Sequence, residues 1–120
     1  MIGYVTIGTN NIETSACFYD ELLFELGAKR ILENERLVTW GNTRDAPMLG
    51  IIRPFDGDKA TPGNGNMAAI ICDNKGLVDV LHTKALSLGA ENEGAPGPWG
   101  TGNFYGDYFR DLDRNKLVFF

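Results

Sequence analysis

The feature that most constrains the fold of this chain is an internal duplication. The tripeptide Leu-Gly-Ala at residues 26–28 recurs at residues 88–90, and the same offset superposes the strand-like runs 4–8 and 66–70. Each half reads in the same order, as a strand, a helix and three more strands. Two copies of one supersecondary unit predict paired modules that share a core plan.

The helix in each half is predicted from the spacing of its apolar residues. Capping side chains precede it, at Asn10 and Asn11 in the first half and at Asp73 or Asn74 in the second, and Gly27 and Gly89 end it. The apolar stripes comprise Ile12, Ala16, Tyr19, Leu22, Leu23 and Leu26 in the first half and Leu77, Val78, Leu81, Ala85 and Leu88 in the second.

Short strands separated by turn residues are predicted after each helix. They are expected at residues 28–32, 36–41 and 48–53, and again at residues 90–93, 103–110 and 116–120. The segment 55–65 is rich in Gly, Asp and Pro and has no apolar period, which indicates a linker. We therefore expect a single α+β domain with module one at residues 1–54 and module two at residues 66–120.

This plan and three short motifs resemble the vicinal oxygen chelate superfamily, which includes glyoxalase I, extradiol dioxygenases and the bleomycin and fosfomycin resistance proteins. The motifs are Phe18-Tyr19 in the first helix, the Leu-Gly that closes it, and YFRDLDRNKL at residues 108–117. The resemblance covers the whole chain and is closest to small glyoxalase/bleomycin-resistance-like members. It implies two βαβββ modules whose curved mixed sheets enclose a shared cavity.

The resemblance also implies where a metal ion would lie. In the metalloenzymes four inward side chains, usually His and Glu, hold one divalent ion. The matching positions here are Tyr4 with its repeat mate Asn66, and Val118 with its repeat mate Gly50. Because such a cation needs several nitrogen or oxygen donors at about 2.0–2.2 Å, we expect no family-type metal site and no cofactor.

Strand alternation extends the set of residues expected to face the cavity. Thr6 follows from Tyr4, while Trp40 and Tyr108 correspond to each other in the repeat and are placed on the cavity side, with Arg110 near the mouth. Aromatic rings beside a hydroxyl and an amide suit a flat or amphipathic small molecule. The alternative is that Trp40 and Tyr108 simply fill the cavity as core.

The glycine-rich loop at residues 94–106 contains Trp99 and is the main piece outside the repeat. Two interpretations stay open for it: a lid in which Trp99 closes over a ligand, and a long hairpin connection in which Trp99 packs on the surface. It does not open a helix, so a phosphate-binding loop is not predicted.

Single residues give little support for acid-base or nucleophilic catalysis. The only histidine, His82, is expected to be exposed and paired with Asp79 one helical turn away. Asp107 is expected to point away from the cavity. Cys17 and Cys72 have no metal-like or redox-like spacing and are interpreted as buried free thiols.

Composition excludes other classes of partner. The formal net charge of -5 argues against nucleic acid. No apolar run reaches membrane-spanning length and no signal peptide is evident, so a cytoplasmic protein without a membrane partner is expected. Because members of the superfamily often dimerise, we also expect a homodimer.

Three functional hypotheses follow. The first is a metal-independent small-molecule binding protein like the bleomycin-resistance branch, for which the overall acidity favours a cationic ligand. The second is a glyoxalase I-like lyase or isomerase, related to lactoylglutathione lyase, that uses a non-standard metal site or acid-base residues such as Tyr4. The third is an interaction module without a ligand.

Overall fold

Both halves of the chain build the predicted order of a strand, a helix and three further strands. The structure is a computed structural model that describes residues 1–120, and it divides into a first unit, residues 1–62, and a second unit, residues 63–120. The first unit contains β1 (Tyr4–Gly8), α1 (Ile12–Phe24), β2 (Lys29–Glu33), β3 (Leu37–Gly41) and β4 (Met48–Ile52). The second contains β5 (Ala68–Ile70), α2 (Lys75–Ser87), β6 (Glu91–Pro98), β7 (Tyr105–Arg110) and β8 (Lys116–Phe119).

Each unit has one mixed four-stranded sheet. The strand order is β1-β4-β3-β2 in the first unit and β5-β8-β7-β6 in the second. In each sheet the first strand of the unit pairs with the last in parallel, and the other two strand pairs are antiparallel. The α+β class and the βαβββ plan of each half are thereby confirmed.

The helix boundaries agree with the sequence signals. Asn11 and Asn74 are the N-cap residues, and each side-chain oxygen accepts a hydrogen bond from the backbone N–H three residues later. Gly27 and Gly89 follow the helices with φ of 72° and 104°, a conformation that costs little only for glycine.

The core of each unit lies between its helix and one face of its sheet. In the first unit, α1 contributes the buried residues Ile12, Ala16, Phe18, Tyr19, Leu22 and Leu23. In the second, Val78, Leu81 and Ala85 of α2 are buried, as are Phe109, Leu117 and Phe119 of the sheet. Full burial of each large apolar side chain contributes roughly 1.5–3 kcal/mol, so the predicted stripes supply much of the stability.

Residues 53–67 contain no helix or strand, but part of this segment is fixed to the first unit. The Asn10 side chain accepts a hydrogen bond from Ala60 N at 2.8 Å and donates one to Ala60 O at 3.1 Å. Ala60 is buried as a result. The predicted linker therefore holds a residue that belongs to the core of the first unit.

The two helices of the structure have 13 residues each. Neither has the length and apolar character that crossing a membrane requires.

Candidate functional site

Each sheet has one face covered by its own helix and an opposite face, which we call the open face. On the first unit, Thr6 and Thr39 flank Gly50 on the open face, because a Cβ at Gly50 would lie 3.4 and 3.1 Å from their methyl carbons. Tyr4 lies two residues before Thr6 on β1 and is 59% exposed. Tyr4 and Thr6 therefore lie on the face opposite the helix, and their contact with a ligand stays a prediction.

Trp40, in contrast, lies on the helix face, and the prediction that it lies on the open side is wrong. Its ring is 2% exposed and its centroid is 5.6 Å from that of Tyr19 on α1. Its Nε1 donates a hydrogen bond to Asp20 Oδ1 at 2.9 Å. The pKa of Asp20 is lowered, chiefly by its hydrogen bond from Arg30, so Trp40 points to an ionised carboxylate at the edge of the core.

The error arises from a difference of one residue between the two hairpins. Six residues, 42–47, connect β3 to β4, whereas five, 111–115, connect β7 to β8. Trp40 pairs with Leu49, and Phe109 pairs with Leu117 in the same way. The structural mate of Trp40 is therefore Phe109, while Tyr108 lies on the open face of the second unit.

The prediction that Asn66 is the repeat mate of Tyr4 is also wrong, because the offset between the two halves is not constant. Val5 pairs with Leu49, and Ala68 pairs with Leu117, so Tyr4 corresponds to Met67 and not to Asn66. Asn66 precedes β5 and lies outside the sheet. The same shift places Ala68 and Ile70 on the helix face and Ala69 on the open face.

The side chains at the superfamily's metal positions do not fit a divalent cation. Gly50 offers no donor, and a side chain there would meet Leu37 and Thr39 within 3.3 Å. Val118 is an apolar residue that is 1% exposed. The corrected mate of Tyr4 is Met67, whose thioether is a soft ligand. Nowhere in the chain do three or more His, Cys, Asp or Glu side chains form a group that could hold a metal.

The open face of the second unit carries a cluster of aromatic rings. The rings of Trp99 and Tyr108 meet edge to face, with centroids 5.2 Å apart. Trp99 Nε1 donates a hydrogen bond to Gly106 O at 2.9 Å. The ring lies so close to Gly94 that a Cβ there would come within 2.7 Å of Trp99 Cζ2. These contacts place Trp99 on its own hairpin, 39% exposed, and β6 extends to Pro98 through much of the predicted lid.

Two cations adjoin this aromatic cluster. Lys116 and Arg110 pair directly across β8 and β7 and so share a face with Tyr108. The Lys116 Nζ atom lies 5.2 Å from the centroid of the Tyr108 ring, a cation–π distance, and it has no carboxylate partner. Arg110 is held by Glu93, with Nε and Oε2 separated by 2.8 Å. The cluster Trp99, Tyr108, Lys116 and Arg110 is called the aromatic–cation cluster below.

The helix face of the second unit contains a buried acid–base pair that corrects the prediction for His82. His82 is 5% exposed, and its Nδ1 lies 2.6 Å from Oδ2 of the fully buried Asp107. Asp107 Oδ1 also accepts a hydrogen bond from Phe119 N at 2.6 Å. Burial raises the pKa of Asp107, and the hydrogen bonds from Phe119 and His82 oppose that rise. The pair ties α2 to β7 and β8.

Asp79 was expected to pair with His82 but bonds to another residue. Its Oδ1 accepts a hydrogen bond from the Tyr105 hydroxyl at 2.6 Å. That bond is the main reason why the pKa of Tyr105 is raised. Asp107 does point to the helix side of its strand, as predicted.

Neither cysteine is a fully buried thiol, contrary to the sequence interpretation. Cys17 is exposed on α1 and Cys72 is half-buried. Partial burial and the charge of Asp107 raise the pKa of Cys72 to about 11, so its thiol is protonated near neutral pH. Nucleophilic chemistry at Cys72 therefore has no support.

The whole chain is similar to several solved structures. A glyoxalase/bleomycin resistance protein from Albidiferax ferrireducens is 30% identical with a TM-score of 0.88, over 99% of this chain and 96% of that one. A glyoxalase/bleomycin resistance protein/dioxygenase family enzyme from Burkholderia phytofirmans is 22% identical with a TM-score of 0.75, over 98% and 94%. A lactoylglutathione lyase from Agrobacterium tumefaciens is 19% identical with a TM-score of 0.71, over 99% and 91%.

The sequence matches no protein-family model and no curated protein. The two structures under 25% identity show a shared fold, whereas the Albidiferax protein combines 30% identity with nearly complete coverage of both chains. Its agreement extends to both βαβββ units. The chain therefore belongs to the glyoxalase/bleomycin resistance protein family of the vicinal oxygen chelate superfamily.

Proposed function

We propose that the protein binds a flat, anionic small molecule on the open face of its second unit, without a metal ion. The observation that carries the proposal is the aromatic–cation cluster, in which the unpaired Lys116 ammonium adjoins the Tyr108 ring and that ring contacts Trp99. Aromatic rings provide a stacking surface, and a few polar groups set the orientation of a ligand. The protein acts by holding its ligand, as the bleomycin-resistance branch suggests.

The local charge supports an anion although the chain as a whole is acidic. Glu93 neutralises Arg110, so Lys116 is the cation that remains for a ligand carboxylate or phenolate. A net charge of -5 acts over the whole surface, whereas a ligand responds most strongly to charges within a few ångströms. The proposal thus replaces the cationic ligand that composition favours.

Lys116→Gln is expected to weaken binding of 2-naphthoate about fivefold, because the ammonium supplies an ion pair worth up to about 1 kcal/mol at a partly exposed site. The matched neutral probe is 2-naphthylmethanol, whose binding should change little. Titration calorimetry measures both affinities. Lys75→Gln removes the same charge from the helix face of the same unit and serves as control.

Adding 2-naphthoate is expected to change the tryptophan fluorescence of the protein. The Trp99→Phe variant keeps an aromatic ring but lacks the indole, so a change that is absent from this variant comes from Trp99. Two results would count against the proposal: failure of 2-naphthoate to bind at millimolar concentration, or equal affinity of the Lys116→Gln and Lys75→Gln variants.

We further expect protein purified without metal-affinity chromatography to contain zinc, nickel, iron and manganese only in substoichiometric amounts. Gly50, Met67 and Val118 supply no side-chain nitrogen or oxygen donor. They therefore cannot replace the hydration shell of a hard or borderline cation. Elemental analysis checks this, and EDTA should leave both the thermal midpoint and the affinity for 2-naphthoate unchanged. One tightly held ion per chain would refute metal independence.

A further inference from the structure

A cavity lies wholly in the first unit, on the side of the sheet covered by α1. It is a groove of about 570 Å³, within the range of roughly 300–1,000 Å³ typical of small-molecule sites. Its floor is apolar and consists of the buried residues Ile12, Ala16 and Val38. The Cys17 thiol also lines the groove and is exposed.

The local backbone determines which side chains border the groove. Strand β2 is an edge strand, and its register shift between Arg30 and Leu32 places both Arg30 and Glu33 opposite the helix-face residues Trp40 and Val38 of β3. The following turn is fixed by Asn34, whose Oδ1 accepts hydrogen bonds from Arg36 N and Leu37 N at 2.9 Å. This turn presents Glu35 at the rim.

The arginine side chains at the rim already have carboxylate partners. Arg53 lies 3.1 Å from Glu13, and Arg30 lies 2.7 Å from Asp20 and also pairs with Glu33. Arg30 donates to both carboxylate oxygens of Asp20, from Nε at 2.9 Å and from Nη2 at 2.7 Å, so the pair is bidentate. The cations of the groove are therefore compensated within the protein.

Glu35 differs from the other charged residues at the rim because it has no partner. The lining contains three carboxylates and two guanidinium groups, so its net charge is negative. An apolar floor with an uncompensated carboxylate above it matches a ligand that has a hydrocarbon body and one positive charge. An anionic ligand would be repelled by Glu35, and both arginines already have carboxylate partners.

We propose that this groove binds a small amphipathic cation, an aromatic or aliphatic body carrying a quaternary or protonated amine, with its positive charge against Glu35. The site is separate from the aromatic–cation cluster and has the opposite preference for ligand charge. It does not depend on the proposed function of the second unit.

The test uses (2-naphthylmethyl)trimethylammonium as probe, with 2-naphthylmethanol as the neutral analogue. The exposed Cys17 thiol reports occupancy through its rate of alkylation by iodoacetamide, measured by mass spectrometry in the Cys72→Ala background. A saturating cation is expected to slow alkylation of Cys17 several-fold. Glu35→Gln should weaken binding of the cation about threefold to fivefold, the range that an exposed ion pair supplies.

Asp45→Asn is the matched control, since it removes one negative charge from an exposed position in the hairpin at the opposite end of β3. Lys116→Gln separates the two sites, because it should leave the affinity for the cation unchanged. Equal protection of Cys17 by the alcohol, absence of protection by the cation, or equal weakening by Glu35→Gln and Asp45→Asn would each overturn the proposal.

Discussion

Asp107→Ala is expected to lower the free energy of unfolding by about 3–5 kcal/mol, the typical cost of removing one partner from a buried charged pair. The substitution leaves two buried donors or acceptors without a partner, at His82 Nδ1 and at Phe119 N. Asp107→Asn should cost less, because its amide oxygen can still accept the hydrogen bond from Phe119. Urea denaturation followed by circular dichroism measures these values.

The control for this prediction is Asp79→Ala, which breaks a hydrogen bond between exposed side chains on the same helix and strand. Its unfolding free energy should stay close to that of the unsubstituted protein. If Asp107→Ala were no more destabilising than Asp79→Ala, the pair between α2 and β7 would not contribute to stability as argued.

Trp40→Ala is expected to lower the free energy of unfolding by about 3–5 kcal/mol, as truncation of a fully buried large aromatic side chain does. The ring packs on Tyr19, so its truncation leaves a cavity. It also removes one of the two hydrogen bonds that Asp20 Oδ1 accepts, since Arg30 donates the other. Trp40→Phe should recover part of the loss by filling the cavity. Urea denaturation again gives the measurement.

Tyr4→Ala provides the comparison for Trp40, since sequence counting placed both rings on one face. Tyr4 is 59% exposed in the structure, so its truncation should change stability little. Similar losses for Trp40→Ala and Tyr4→Ala would contradict the assignment of Trp40 to the core.

The elements of the fold could be predicted because their signals are local. Asn11, Gly27 and their counterparts Asn74 and Gly89 mark the helices by side-chain capping and positive φ, which depend on a few neighbouring residues. Apolar spacing then selects the buried helix face. These signals do not require knowledge of distant contacts.

The faces of individual strands were harder to predict because they depend on exact register. Asn11 and Asn74 are 63 positions apart, Gly27 and Gly89 are 62 apart, and Trp40 and Phe109 are 69 apart. A one-residue change reverses the face of every following side chain in a strand. Trp40 and Asn66 were misplaced for this reason, while Tyr4, Thr6 and the pair Gly50 and Val118 were not.

His82 required a contact that its own helix does not reveal. It lies outside the predicted apolar stripe, yet it is buried and hydrogen-bonded to Asp107 on β7. The usable signal was Asp107 itself, a carboxylate between Tyr105 and Phe109 on the helix side of its strand. A buried carboxylate needs a donor from the facing element, and His82 was the donor that α2 offered.

The unequal hairpins also limit how this duplicated protein can be engineered. Copying a ligand-contacting side chain from one half to the other by a constant count would, at β3 and β7, bury it beneath a helix instead of presenting it to solvent. When single side chains are grafted or one half is exchanged for the other, the two halves must therefore be aligned strand by strand.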